Sequence, residues 1–269
     1  MIVFPNAKIN LGLNILSKRG DGFHDLESCF YPIQWKDALE ILPTDNENIS
    51  FSTSGISIPG VSSQNLVTRA YSQLKIDFDL PSVSIHLHKN IPLGAGLGGG
   101  SSDAAFALKI LNSLFNLHLN DEQLAGYAAR LGSDCPFFIF NRPMLAQGRG
   151  ERLSTFDLEL KGLHVVVVMP DIAVGTAEAY SWITPKKPRE LLTEILKSPV
   201  DDWQGRLIND FEEPVTERFP VIGEIKKALI NEGALYSAMS GSGAAVYGIF
   251  RQPPDTDRWR SFKHWRGQF

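Results

Sequence analysis

The chain has 269 residues, 43% hydrophobic and 21% charged, enough for a sizeable core in one large domain or two moderate ones. Its 26 basic and 30 acidic residues leave a net charge of −4, which gives no support to a general nucleic-acid or anionic-membrane role. Cys29 and Cys135 make neither a zinc pattern nor a disulfide framework, no signal peptide is read at the start and no apolar run nears a membrane span, so a soluble, cytoplasmic protein is expected.

Ile9, Leu11, Leu13 and Ile15 alternate with Lys8, Asn10, Gly12 and Asn14, a period of two that predicts a strand with one face in the core. Lys8, Asn10 and Asn14 then share the opposite face, either as a solvated surface or as the floor of a cleft charged by Lys8. The stretch Lys18-Arg19-Gly20-Asp21-Gly22-Phe23-His24 reads as a loop. Strands are predicted at 26–34 and 38–42, turns around short strands at 43–64, and a helix at 65–76 from the spacing of Leu66, Val67, Ala70, Tyr71 and Leu74. Residues 82–89 alternate again. His86 and His88 share one face there at a spacing that can bind metal, but no third ligand stands nearby and an ordinary strand face is preferred.

Next come Pro92, Leu93, Gly94, Ala95, Gly96, Leu97, Gly98, Gly99, Gly100, Ser101 and Ser102, followed by an apolar run from Phe106 to Leu117 that reads as a helix. Glycines let backbone N–H groups approach a ligand, and the start of a helix favours negative charge. The stretch therefore reads as a phosphate cradle, against the alternative of a flexible turn with Ser101 or Asp103 as a cap. Gly94, Gly96 and Gly99 satisfy Gly-x-Gly-x-x-Gly, but the preceding strand alternates and no acidic residue is clearly placed beyond the helix, so a dinucleotide fold is disfavoured. No lysine follows the glycines, and the protein-kinase signatures are missing.

A helix is predicted at 121–131, with Asn120 and Gln123 at capping-box spacing and Gly132 as its stop. Pro136 suits the first turn of another helix capped by Ser133 or Asp134, and capping alone would explain Asp134. The pattern changes around 155–162. A strand at 163–169 precedes helices near 176–183, 188–197, 203–213 and 221–231, and residues 236–250 read as two strands joined by a second glycine loop, Ser240 to Gly243. The tail from Asp255 to Phe269 sets Trp259, Phe262 and Trp265 among basic residues. A terminal amphipathic helix is expected there rather than a nucleic-acid or partner-binding tail.

The stretch from Pro92 to Ser102 resembles the ATP loop of the superfamily of galactokinase, homoserine kinase, mevalonate kinase and phosphomevalonate kinase. Ser240-Gly241-Ser242-Gly243-Ala244-Ala245 resembles its third motif. Pro5-Asn6-Ala7-Lys8-Ile9-Asn10-Leu11, Asp21-Gly22-Phe23-His24, Gly132-Ser133-Asp134-Cys135-Pro136 and Ala146-Gln147-Gly148-Arg149-Gly150-Glu151 are similar to the branch that phosphorylates diphosphocytidyl-methylerythritol in the non-mevalonate isoprenoid pathway. The resemblance runs from the N-terminus to about Phe250. It implies a two-domain α+β fold, with an ATP-binding half at 1–155 like ribosomal protein S5 domain 2 and a ferredoxin-like, substrate-side half at 156–269.

It also implies ATP and Mg²⁺, with transfer of the γ-phosphoryl group to the 2-hydroxyl of the methylerythritol unit. Pro92 to Ser102 would hold ATP, and Asn65 would meet the adenine. Asp134 would take the hydroxyl proton while Lys8 holds Asp134 and the hydroxyl in place. Asn10 would position the substrate, His24 would bind the cytosine ring, Phe23 and Tyr180 would pack on the cytidine, and Ser240 and Gly241 would lie on the substrate side. The implied partner is a small molecule, with no nucleic acid and no membrane. The alternatives are a kinase of the same superfamily for another polyol or hydroxy acid, and a nucleotide-binding regulator without turnover. Two departures stand out. Phe23 replaces the tyrosine common in relatives, and the short stretch after the third motif leaves the last strand expected short or missing.

Overall fold

The computed structural model describes every residue except Glu47. Its elements in chain order are β1 Ile2–Val3, β2 Asn6–Lys18, β3 His24–Lys36, β4 Ala38–Pro43, β5 Ser50–Gly55, α1 Leu66–Phe78, β6 Val83–Lys89, α2 Gly99–Leu114, α3 Asp121–Ala129 and α4 Cys135–Phe140. Then follow β7 Met144–Gly148, β8 Arg152–Thr155, β9 His164–Met169, α5 Thr176–Ser181, α6 Leu192–Lys197, α7 Glu212–Arg218, α8 Pro220–Asn231, β10 Tyr236–Met239, β11 Val246–Phe250 and β12 Lys263–Gln268. By contacts they form two units interleaved along the chain. The first holds Met1–Ala7, Trp35–Leu93 and Gly98–Arg142; the second holds Lys8–Gln34, Gly94–Leu97 and Pro143–Phe269.

In the first unit the sheet order is β1-β4-β6-β5, antiparallel except for the parallel pair of β5 and β6. Val83, Ile85 and Leu87 turn inward, as their alternation predicts. His86 bonds Ser52 and Ser54 at 2.8 and 2.9 Å, and His88 bonds Ser54 at 2.9 Å, so these rings tie β6 to β5. The helix expected from Phe106 starts earlier, at Gly99, behind Gly98 in the left-handed region (φ 70°). Glycine and serine are weak helix formers, but small residues let the first turn pack tightly. A Cβ on Gly99 would lie 3.0 Å from both Ile91 Cγ2 and Lys89 Nζ. Ser101 and Asp103 are consequently inside the helix rather than at its cap. The capping box of Asn120 and Gln123 is present on α3, which ends at Ala129, before Gly132.

The second unit contains a sheet of order β2-β3-β7-β8 and another of order β10-β11-β9-β12. Counted from β9, the latter runs 4-1-3-2 with every pair antiparallel, the ferredoxin-like order expected for the C-terminal half. Its core joins Val166 and Val168 of β9, Val246 and Phe250 of β11, and Ile222, Ile225 and Leu229 on one stripe of α8. Each of these side chains contributes roughly 1.5–3 kcal/mol by leaving water.

Two sequence expectations fail in this unit. Residues 203–211 are turn and irregular chain with a bridge from Asn209 to Leu13, and the helix begins only at Glu212. Gly205 takes φ 84°, and Leu13 exchanges backbone bonds with Ile208 and Asp210 at 2.8 Å each, which no helix there would allow. The tail is not an amphipathic helix either. Asp257–Ser261 is a 3₁₀ turn, and β12 pairs residue for residue with β9 from Lys263↔Met169 to Gln268↔His164. An open edge on β9 would leave its N–H and C=O groups without partners, and the tail supplies them. The last strand is therefore present. Among the described residues no helix is long and apolar enough to cross a membrane.

Candidate active site

Lys8 and Asn10 sit on the polar face of β2, but that face is buried rather than solvated: Lys8 is 3% exposed. The Lys8 ammonium donates to Asn10 Oδ1 at 2.5 Å and to the Gly96 carbonyl at 3.0 Å, and lies 4.8 Å from the centre of the Phe30 ring. Asn10 Nδ2 donates to Ser28 Oγ at 2.9 Å, and Ser28 Oγ donates to the Gly12 carbonyl at 2.6 Å. The Asn10 amide thus holds Lys8 at its oxygen and is itself anchored by Ser28 at its nitrogen, which makes Asn10 a positioning residue for that cation. Ser28 and Tyr247, whose hydroxyl donates to the Asn10 carbonyl at 2.7 Å, were not singled out from sequence. Nothing in their own segments marks them.

The glycine loop meets the second glycine loop at Gly96. Ser240 Oγ donates to the Gly96 carbonyl at 2.8 Å, and the Ala245 N–H donates to the Ala95 carbonyl at 3.2 Å. A Cβ on Gly96 would lie 2.0 Å from the Ser240 carbonyl oxygen, and one on Gly241 would lie 3.1 Å from Gly96 Cα. Only glycine fits Gly96, where φ is 73°. In this structure Ser240 and Gly241 act on the loop itself. A Cβ on Gly94 would meet nothing within 4 Å, so that part of the loop faces open space.

On the first unit, the Ser102 N–H makes the first bond of α2, to the Gly98 carbonyl at 2.9 Å. The N–H groups of Gly99, Gly100 and Ser101 therefore have no partner within the helix and suit phosphate oxygens. Ser102 Oγ is buried without a partner. These features fit an ATP triphosphate. Asn65 caps α1 by accepting from the Val67 N–H at 2.9 Å. It also lines a cleft of about 430 Å³ of mixed polar and apolar character with Phe51, Ile58, Leu93, Gly100 and Asp103, so Asn65 shares one site with Leu93 and Gly100 of the glycine-rich stretch. Asp134 occupies the N-cap position of α4, half-buried, yet its side chain makes no capping bond. Capping does not explain it.

Two residues that sequence reasoning missed, Lys89 and Asp37, lie in the same unit with Asp103, which it weighed only as a cap. Lys89 contacts the carboxylates of both Asp37 and Asp103, the latter at 2.7 Å, and all three are buried. Asp37 Oδ1 also accepts from the N–H groups of Asn90 and Ile91 at 2.6 and 2.8 Å. Burial, then the charge of Asp37, pushes the Asp103 carboxyl up to about 7, against the pull of Lys89. A signal did exist: Lys89 keeps the parity of Val83, Ile85 and Leu87, which puts a cation on the core face of β6.

The remaining candidates gather on the second unit. The His24 and Tyr180 rings stack with centroids 4.9 Å apart at 19°, and Tyr180 and Phe211 meet in a T-shaped contact. Burial, then Lys18, lowers the His24 pKa, so the imidazole is neutral at pH 7 and has one donor and one acceptor nitrogen. Phe23 is 54% exposed beside it.

The model of the GHMP kinases N terminal domain matches residues 65–142, and that of the GHMP kinases C terminal matches residues 192–261. The chain belongs to the GHMP kinases. As a GHMP kinase it is a phosphotransferase that uses ATP. A 4-diphosphocytidyl-2-C-methyl-D-erythritol kinase of Bacteroides fragilis is 54% identical over 93% of the chain and 92% of its own length. One of Parabacteroides distasonis is 48% identical over 100% and 99%. The crystal structure of a 4-(cytidine 5'-diphospho)-2C-methyl-D-erythritol kinase superposes with a TM-score of 0.85, at 32% identity, covering 99% of this chain and 98% of that one.

Proposed function

We propose that this GHMP kinase transfers the γ-phosphoryl group of ATP to the 2-hydroxyl of 4-diphosphocytidyl-2-C-methyl-D-erythritol, in the cytoplasm, as a step of non-mevalonate isoprenoid synthesis. The relatives at 54% and 48% identity support the substrate. The geometric observation that carries the chemistry is the buried Lys8 ammonium, fixed against the glycine loop at Gly96. Segment 1–155 is proposed as the ATP-binding part and 156–269 as the substrate-side part.

Asp134 accepts the proton of the 2-hydroxyl as that oxygen bonds to the γ-phosphorus and the bond to ADP breaks. Lys8 orients the acceptor and favours the ionised form of Asp134. The N–H groups at the start of α2 and along Gly94 to Gly98 stabilise phosphoryl charge without a loop lysine. Ser102, whose buried hydroxyl has no partner in the protein, is the residue that would meet a Mg²⁺ ion. That ion would neutralise phosphate charge. Asn65 and its cleft take the adenine, while the neutral His24 reads the cytosine edge and Phe23 and Tyr180 supply aromatic surface. Asn10, Ser240 and Gly241 hold Lys8 and the loop against the acceptor.

The test is Asp134→Ala, assayed for ATP-dependent phosphorylation of diphosphocytidyl-methylerythritol. Turnover should fall about 10²–10⁴-fold, the range for loss of a general base, in a variant whose folding is checked by its melting temperature. Unchanged turnover in the folded variant removes Asp134 from this role.

A further inference from the structure

Between β7 and β8 the chain turns through Gly148-Arg149-Gly150-Glu151, and both glycines take positive φ, 69° and 102°. Glu151 Oε2 accepts from the Arg149 N–H at 2.5 Å and closes the turn. A Cβ on Gly148 would lie within 2.9 Å of Glu151 Oε2 and of Arg152 Nε, so the turn is built around glycine. This frame presents Arg149 at its tip, and the guanidinium carbon lies 4.9 Å from the centre of the Phe23 ring.

A guanidinium resting its face on an aromatic ring keeps its N–H donors along the edge, in the plane, where they match phosphate oxygens. The nearby Arg19 has no such reserve. Its Nε and Nη2 hold Asp21, and its Nη1 holds Asp25 at 2.9 Å. Arg149 faces the Glu151 carboxylate at 3.9 Å from Nε, beyond hydrogen-bonding distance, and its charge also reaches Asp21, whose carboxylate Arg19 already holds. Phe23 has no hydroxyl of its own to offer a polar ligand. A planar cation on its face supplies the polar function there.

We propose that Arg149 is a substrate-binding residue, gripping a phosphate of the acceptor's diphosphate with its guanidinium edge while Phe23 supports its face. This rests on the proposed acceptor, a cytidine diphosphate ester. The probes are cytidine and cytidine 5'-diphosphate, titrated calorimetrically into wild type and Arg149→Ala, alongside the KM for each substrate. Loss of a charge-assisted hydrogen bond should weaken binding of the diphosphate about ten- to hundredfold. Cytidine binding and the KM for ATP should stay as they are, and the KM for the acceptor should rise with the diphosphate's dissociation constant. Equal weakening of both probes would mean that Arg149 only packs Phe23, and overturns the assignment. So does unchanged binding of both. Wild type that binds neither probe and leaves the acceptor unphosphorylated removes the proposed function, and the assignment with it.

Discussion

Each unit contains a buried lysine, and the two meet different neighbours. Lys89 sits between two carboxylates drawn from β6's neighbours, Asp37 and Asp103. Lys8 is held by an amide oxygen, a backbone carbonyl and the face of Phe30. Removing Lys89 strands two buried carboxyl groups, whereas the groups that accept from Lys8 at Asn10 and Gly96 are neutral dipoles. The loss of stability is expected to be greatest at the first, and the loss of the proposed chemistry at the second.

The sharpest way to break this division is to exchange each lysine for methionine, which keeps most of the volume. Lys8→Met should cost turnover about 10²–10³-fold, as for loss of one transition-state donor, with a small shift in the urea midpoint. Lys89→Met should lower unfolding free energy by about 3–5 kcal/mol, the cost of breaking a buried pair from one side. The reverse pattern in urea titrations and steady-state assays would sink the comparison.

The Lys89 cluster also carries a pH signature. Asp103 holds its proton more tightly folded than unfolded, because burial and Asp37 raise its pKa to about 7. Its contribution is full below the unfolded carboxylate value and is lost as pH rises through about 7. Relative to wild type, Asp103→Asn should gain stability between about pH 4 and about pH 8, read from urea midpoints. A constant difference across that range would contradict the assignment.

The smallest effect separates the capping role of Asn65 from its proposed contact with the adenine. Asn65→Ser keeps a good N-cap for α1, so the melting temperature should hold. The KM for ATP should rise about three- to tenfold, one hydrogen bond's worth. An unchanged KM would leave Asn65 as a cap alone.

Much of the candidate site was legible because its signals are local. The glycine loop, the polar face of β2, and Asp134 before Pro136 are runs of residue types whose backbone freedom, charge or periodicity shows within a few positions. The alternations at 8–15 and 82–89 likewise predicted strands correctly, since period two is a property of the chain itself. What failed was decided between distant segments. Propensity argued against a helix at Gly99, but close packing on Ile91 and Lys89 favoured one. The aromatic tail became a strand because β9 had an edge to pair, and 203–211 stayed open because Leu13 took its backbone bonds.

The same distinction runs through individual residues. Residue type alone made Lys8 a cation, His24 a titratable ring and Gly96 free to turn, and these identities pointed to a phosphate-handling enzyme. Their assignments came from the folded chain: Asn10 and Ser240 serving Lys8 and the loop, Lys89 bound to carboxylates 52 and 14 residues away, Arg149 laid on Phe23. Short-range chemistry is written in neighbouring residues. Hydrogen bonds and charges that must be satisfied once buried find partners wherever the fold supplies them, and sequence distance does not enter that energy.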